Sequence, residues 1–259
     1  MEIFMNNEIK LLSQDLTGLC ALVTGSSRGI GSAIAVELAA HGAEVWLHAA
    51  ASAAKAELVK AQIEAHGGIC RGIITADLTD PSAAEHIAET VGGVDILVLN
   101  ASLQIKEDYT EITREDYEKQ MNCNFYASMK LITAFAEGMK QKHFGRIITI
   151  GSVQEAKPHP QMLVYSSSKA AQTAMVKSLA SVLSGDGITL NNIAPGVIYT
   201  DRNVEALSDP EYAKKVTDSI PLGFYGEKQD ISPLVCLLAS EAGRYITGQS
   251  IYIDGGKSL

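Results

Sequence analysis

Cysteine is scarce and scattered in this chain. Four occur in 259 residues, at Cys20, Cys70, Cys123 and Cys236. No two form C-x-x-C, so they read as reduced thiols in a cytosolic protein, neither a disulfide framework nor a metal site. No apolar run reaches about 18 residues, so no membrane span is expected. The opening MEIFMNNEIKLLSQ carries acidic residues and no long apolar stretch, unlike a secretory signal. Basic residues are outnumbered 21 to 30, for a net charge of -9. That balance argues against a nucleic-acid partner, which wants a basic face. Repeats, linkers and low-complexity stretches are absent too. What is present is a chain 46% hydrophobic, long enough for one α/β domain with a large core.

Apolar runs predict strands over 19–24, 44–48, 69–75, 94–99, 146–150, 188–193 and 250–253. Helices are predicted to 41 after the first strand, over 52–66, from Asp80 and Pro81 onward, and over 113–142, 163–184, 203–219 and 230–240. Asp80 reads as an N-cap with Pro81 at the first helical position. The strand runs are continuously apolar, as strands buried on both faces should be. Alternating strands and helices predict a doubly wound, Rossmann-like parallel sheet of about seven strands, with helices on both faces. Residues 1–15 read as a leader, helical or loose, and 16–259 as a single domain.

Such a sheet binds its ligand beyond the carboxyl ends of its strands. Gly25–Gly31, Asp77, Asn100, Ser152 and Pro195-Gly196 all fall at predicted strand ends. Gly25-x-x-x-Gly29-x-Gly31 opens the first helix. Glycines let the backbone approach a ligand closely, and the helix N-terminus favours a pyrophosphate. Tyr165 and Lys169 sit four apart on a predicted helix, so they share a face. A lysine charge beside a phenol lowers its pKa toward a useful range for proton transfer. Ser152, past the end of the fifth strand, is placed to bond the same substrate oxygen. Tyr126 and Lys130 repeat the spacing, but mid-helix with no serine-ended strand before them, so they read as packing.

Taken together, TGSSRGIG (24–31), the strand-end Asp of ADLTD (76–80), LNAS (99–102), Asn124, Ser152, Tyr165-x-x-x-Lys169, PGVIYT (195–200) and ITGQSIYIDGG (246–256) resemble the short-chain dehydrogenase/reductase family. The resemblance runs from about residue 15 to the C-terminus, in the 3-oxoacyl-carrier-protein reductase and glucose or gluconate dehydrogenase branch. It implies an oxidoreductase that interconverts a carbonyl and a secondary alcohol. Tyr165 is implied as acid/base, with Lys169 lowering its pKa and holding the nicotinamide ribose. Ser152 is implied to polarise the carbonyl, and Asn124, rather than Asn122, to hold a relay water. Gly25, Ser27, Arg28, Gly29, Ile30 and Gly31 are implied to cradle the cofactor. Asp77 and Leu78 would meet the adenine, and Asn100 and Ala101 the adenosine side. Pro195, Gly196, Ile198 and Thr200 would flank the nicotinamide. Asp77 could instead be only a helix-entry cap, and Thr200 could likewise cap a helix.

Two residues depart from the family's pattern: Ser102 stands where glycine is usual, and Gly151-Ser152 replaces a Ser-Ser pair. At the end of the second strand no acid is present to bind a 2′-hydroxyl, and Arg28 can pair with a 2′-phosphate. NADP(H) is therefore expected over NAD(H), with Ser52 and Lys55 replacing an arginine often found near Ala50. Substrate-lining candidates are Gln104, Gln154, His159, Met162, Tyr199, Asn203 and Phe224, under a lid at about 200–226. A sugar, a polyol or a 3-oxoacyl compound would suit them. His159 reads more readily as a loop histidine than as a base. Apolar and small residues around the Tyr165 helix (Ala170, Ala171, Ala174, Met175) predict a homo-oligomer, and the family resemblance implies a homotetramer. The competing function is a non-catalytic dinucleotide-binding regulator on the same fold. A sugar-nucleotide epimerase would need an extra C-terminal domain.

Overall fold

The structure, a computed structural model, describes residues 11–259 apart from the side chains of residues 205 and 206. Most of the expected leader therefore lies outside the described residues, and 11–15 form neither helix nor strand. Nine strands follow: β1 (Cys20–Val23), β2 (Glu44–Ala49), β3 (Ile69–Thr75), β4 (Ile96–Leu99), β5 (Gly145–Ile150), β6 (Ile188–Pro195), β7 (Ile198–Tyr199), β8 (Gly226–Glu227) and β9 (Ser250–Ile253). Seven make one parallel sheet in the order β3-β2-β1-β4-β5-β6-β9. Strand order reverses between β1 and β4, which opens a crevice at their carboxyl ends. Every residue of β4, β5 and β6 is buried, which is why their sequences run apolar without alternation.

Helices cover both faces. α1 (Gly29–Ala40), α2 (Ala54–Ala65) and α9 (Ser232–Ala239) pack on one side, around Ile34, Leu38, Ile63 and Val235. α3 (Ala83–Val91), α5 (Ala127–Lys142) and α6 (Leu163–Leu183) pack on the other, around Ile87, Leu131 and Val176. Each such fully buried aliphatic side chain contributes about 1.5–3 kcal/mol.

Four local features differ from expectation. Asp80 does not cap α3: its carboxylate accepts the Ser82 N–H (2.8 Å) and hydroxyl, and the helix begins at Ala83. The proline thus lies in the turn before the helix, where its missing N–H leaves no hydrogen bond unmade. The region 113–142 is not one α-helix: α4 (Arg114–Met121) passes through a π turn, Asn122–Tyr126, into α5. The region 203–219 is broken into α7 (Val204–Leu207) and α8 (Pro210–Asp218). Pro210 cannot continue a helix from before it, and Asp209 caps the new one by accepting the Glu211 N–H at 2.9 Å. Finally, β7 and β8 form an unexpected two-residue parallel pair, Ile198 opposite Gly226. It pins both ends of the expected lid to one point.

Candidate active site

A cleft of about 1030 Å³ lies over the carboxyl ends of the strands, from Arg28 and Lys55 at one end to His159 and Tyr212 at the other. The glycine loop forms its floor. Gly25 adopts φ +62°, and a Cβ there would sit 2.9 Å from Ala101 Cα. A Cβ on Gly31 would lie 2.4 Å from both Asn100 Nδ2 and the Gly25 carbonyl. No side chain caps the N-terminus of α1, so its first turn presents main-chain N–H groups to the cleft.

Three side chains clamp this loop from beneath. Asn100 Nδ2 donates to the carbonyls of Thr24 and Gly25, both at 3.0 Å. Thr24 Oγ1 accepts the N–H groups of Asn100 and Ala101. His48 Nδ1 accepts the Gly25 N–H at 3.0 Å, and Nε2 lies 2.9 Å from the Ala76 carbonyl, so the ring is an Nε2–H tautomer. Burial holds the pKa of His48 below its ordinary value. The side chain expected at the adenosine, Asn100, thus spends its amide on the loop. Asp77 faces the cleft as part of a tight turn, its carboxylate accepting the Thr79 N–H at 2.9 Å, and it caps no helix. Leu78, largely buried in the core, also lines the cleft between Asp77 and Thr79. Ser27, Ile30, Gly29, Pro195, Gly196, Ile198 and Thr200 line the same cleft. An uncapped helix start, a main-chain floor and this volume fit a dinucleotide with its pyrophosphate on α1.

Ser152, just past the end of β5, and Tyr165, in the first turns of α6, both line the cleft above that floor, and Ser152 helps to hold the phenol pKa down. Lys169, one turn on, is fully buried. Its Nζ donates to the Ile150 carbonyl at 2.8 Å and to Gln172 Oε1 at 3.2 Å, 5.8 Å from the Tyr165 ring centroid. Burial, helped by the nearby Arg202 charge, lowers its pKa to about 8. The expectation that Lys169 lowers the Tyr165 pKa is not met by this geometry. Burial raises the phenol, and the cation that opposes the rise is Arg202, with Ser152 assisting by hydrogen bonding. Asn124 lies in the π turn with no solvent exposure. It accepts the Leu103 N–H (2.7 Å) and donates to the Leu103 carbonyl and Ser168 Oγ, both at 2.9 Å. Its side chain therefore ties α6 to the segment after β4. Asn122 points elsewhere, to the Thr79 carbonyl. Lys130 pairs with Glu85 at 3.0 Å, in keeping with a packing role for the Tyr126 spacing.

Of the substrate candidates, Gln104, Gln154, His159, Met162 and Asn203 line the cleft. Gln154 is held by Ser166 and Met162, and Asn203 Nδ2 donates to the Ile198 carbonyl at 2.8 Å. Tyr199 and Phe224 do not line it. Tyr199 alternates away from Ile198 along β7 and stacks on Tyr225 (centroids 5.6 Å apart), and Phe224 is 58% exposed. Their places are taken by Leu207, Tyr212 and Val216 of the lid helices and by Arg202. Sequence reading passed over Arg202, His48 and Glu155. The Glu155 carboxylate gathers Thr173, Asn192, Ser250 and Tyr252 from α6, β6 and β9 at 2.5–3.1 Å. Nothing local in the sequence marks it, because its partners are distant. Arg202 was visible as the only arginine between 147 and 243, two residues past Thr200.

A doubly wound sheet with a glycine cradle and a Ser–Tyr–Lys cluster at its strand ends defines a dinucleotide-dependent α/β oxidoreductase fold. The chain belongs to the short-chain dehydrogenase/reductase family: a family model described as enoyl-(acyl carrier protein) reductase matches residues 25–258. It is 37% identical over 248 residues to a 3-oxoacyl-(acyl-carrier-protein) reductase of Haemophilus influenzae, covering 94% of this chain and 100% of that one. Glucose 1-dehydrogenase of Gluconobacter oxydans is also 37% identical, over 93% of this chain and 92% of its own. Among solved structures, a 3-oxoacyl (acyl-carrier-protein) reductase of Agrobacterium tumefaciens with NADP bound superposes with a TM-score of 0.90. It is 35% identical, with 94% of this chain and 95% of that one covered.

Proposed function

We propose that this chain is an NADP(H)-dependent oxidoreductase that interconverts a carbonyl and a secondary alcohol, with Tyr165 as its acid/base. The observation that carries the reading is that Ser152 and Tyr165 line one cleft with the glycine loop at the strand ends. NADP(H) suits a cleft whose residues after β2, Ala49 to Ser52, include no acid and whose adenosine end carries Arg28 and Lys55. The NADP bound in the Agrobacterium relative supports the same choice.

When bound, the nicotinamide supplies or accepts the hydride. Ser152 then hydrogen-bonds the substrate oxygen and holds it against Tyr165. A phenol raised by burial stays protonated at neutral pH, which is the form that donates to a carbonyl oxygen being reduced. Lys169 keeps its charge below about pH 8 and, anchored on Ile150, holds the ribose edge of the cofactor. Asn124 and Ser168 fix the turn of α6 that carries Tyr165, since Ser168 Oγ also donates to the Tyr165 carbonyl at 2.7 Å. Residues 200–226 act as the lid, hinged at the β7–β8 pair.

Self-association to a homotetramer is part of the same reading. Ala170 and Ala174 form an exposed strip of α6, and Val182, Tyr245 and Leu259 leave large apolar surfaces uncovered on one chain. A cytoplasmic location fits the four free thiols. No described helix is long and apolar enough to cross a membrane.

The test is a panel of ketones and alcohols assayed against NADPH and NADH by nicotinamide absorbance. Turnover that prefers NADPH supports the reading. Tight NADPH binding with no turnover of any carbonyl, and a Tyr165→Phe protein that behaves identically, would instead favour the regulatory alternative.

A further inference from the structure

We propose that Arg202, positioned by Ser102, docks a carboxylate on the carbon next to the reacting carbonyl, so that the substrate is a 2-oxo or 2-hydroxy acid. This deepens, and rests on, the oxidoreductase reading. Arg202 enters the cleft from the start of the lid, two residues after Thr200. Its Nη2 donates to the Ser102 carbonyl at 3.0 Å and to the Ser102 hydroxyl at 3.3 Å. Arg202 and Tyr165 line the same cleft, and the guanidinium is the positive charge acting on the phenol. Ser102 is the residue found where the family's pattern has glycine, and its hydroxyl is what the guanidinium takes. The serine and the arginine therefore form one unit that sets a fixed cation beside the proton donor.

Among the described residues no carboxylate pairs with Arg202, and its neighbour Asp201 is turned to Lys55 at 3.7 Å. A guanidinium carries five N–H donors in a planar fork, more than Ser102 uses. In a chain of net charge -9, the lid end of the cleft is also lined by Lys106, Lys157 and Lys257. Lys157 is spent on the carbonyls of Lys257 and Leu259, and Lys257 on Ser219, while Lys106 also lines the cleft; of these cations Arg202 is the one whose charge acts on the Tyr165 phenol.

Geometry then limits the ligand. A carbonyl oxygen within hydrogen-bond reach of Tyr165 places the substituents of its adjacent carbon in the same cleft as the guanidinium that Ser102 anchors and whose charge acts on the phenol. A carboxylate there makes charge-assisted bonds of the kind an arginine fork fits best. In reduction, the carbonyl carbon gains hydride from NADPH, and the C=O π pair moves to oxygen, which takes the Tyr165 proton. The carbonyl is reduced, the nicotinamide is oxidised, the carboxylate is unchanged, and Tyr165 recovers its proton from water.

The test uses binding, not turnover. The full-length protein saturated with NADPH is titrated calorimetrically with oxamate, a carboxylate isostere of a 2-oxo acid, and with oxamide, its neutral counterpart. Oxamate should bind at least ~10-fold more tightly, as expected of a charge-assisted contact. Arg202→Gln should bring the two within about 2-fold, while Arg202→Lys keeps part of the preference. Ser102→Gly should reduce the oxamate preference by a smaller factor, because the guanidinium loses one of two anchors. Melting temperature and NADPH affinity of each variant establish that it is folded. Equal binding of oxamate and oxamide to the wild type overturns the proposal, as does a preference that survives Arg202→Gln. If NADPH binds but oxamate is not preferred, only this proposal falls. If NADPH does not bind, the oxidoreductase reading falls with it.

Discussion

At one end of the cleft Gly25, Gly29 and Gly31 present main chain; at the other Arg202, Met162 and Tyr212 present side chains. The glycine end is fixed by contacts that reach across the sheet: Asn100 and Thr24 join β4 to β1, and His48 joins β2 to β1 and β3. The other end, residues 200–226 proposed above as the lid, rests on the two-residue β7–β8 pair, the Asp209 cap and the hold of Arg202 on Ser102. Main chain offers the same N–H groups whatever the side chains are, so the first end suits a ligand common to many enzymes. Side chains on a hinged segment can be exchanged without disturbing the sheet, so the second end can specialise.

The sharpest way to probe the boundary between the two ends is Tyr165→Phe. It removes one oxygen and keeps the packing of the ring. Turnover should fall by roughly 10²–10⁴, while NADPH affinity measured by titration stays close to wild type. Loss of both in equal measure would mean that Tyr165 belongs to the glycine end.

Gly31→Ala should break the glycine end itself. The new Cβ would press on Asn100 Nδ2 and the Gly25 carbonyl at 2.4 Å. The cost should be about 1–3 kcal/mol, as for other overpacked sites, read as a lower melting temperature together with weaker cofactor binding. A comparable change in the lid, Leu207→Ala, should leave cofactor binding alone.

Arg28→Ala should weaken NADPH by about 1–3 kcal/mol, as expected of a charge-assisted phosphate contact, and leave NADH nearly unchanged. Equal losses would show that Arg28 shapes the loop and does not read the phosphate.

His48 gives the glycine end a pH dependence. Its pKa is lowered in the fold by burial, from an ordinary value of 6.5. Below 6.5 the unfolded chain binds a proton that the folded chain resists, so stability is lost as pH falls. Protonation also removes the Nδ1 acceptor of the Gly25 N–H. Melting temperature and NADPH affinity should therefore fall together on acidification, and His48→Gln should flatten that shared trend.

The smallest effect is expected at Phe224. It is exposed outside the cleft, so Phe224→Ala should change turnover by less than about two-fold, within the usual range for surface substitutions. A large loss would return this residue to the substrate site and redraw the lid end.

The sequence by itself determined the sheet, the glycine loop and the Ser152–Tyr165–Lys169 set. These are local signals: apolar runs for buried strands, glycines before a helix, and a four-residue spacing on one helical face. Even the expected single helix over 113–142 was right except for the π turn, whose extra residue per turn leaves no mark in a hydrophobic pattern. The break at Asp209-Pro210 was legible as a cap followed by a proline and was overlooked in a polar stretch. Only the tertiary structure decided the rest. It sent the Lys169 charge to Ile150 and brought Arg202 to Tyr165 from 37 residues away, by the difference of their numbers. It turned Tyr199 and Phe224 out of the cleft, and set the half-buried Glu155 among partners on three other elements. The physical reason is common to all four. A side chain's charge state and orientation depend on what packs against it through space, and neighbours in space are not written in neighbouring positions of the chain.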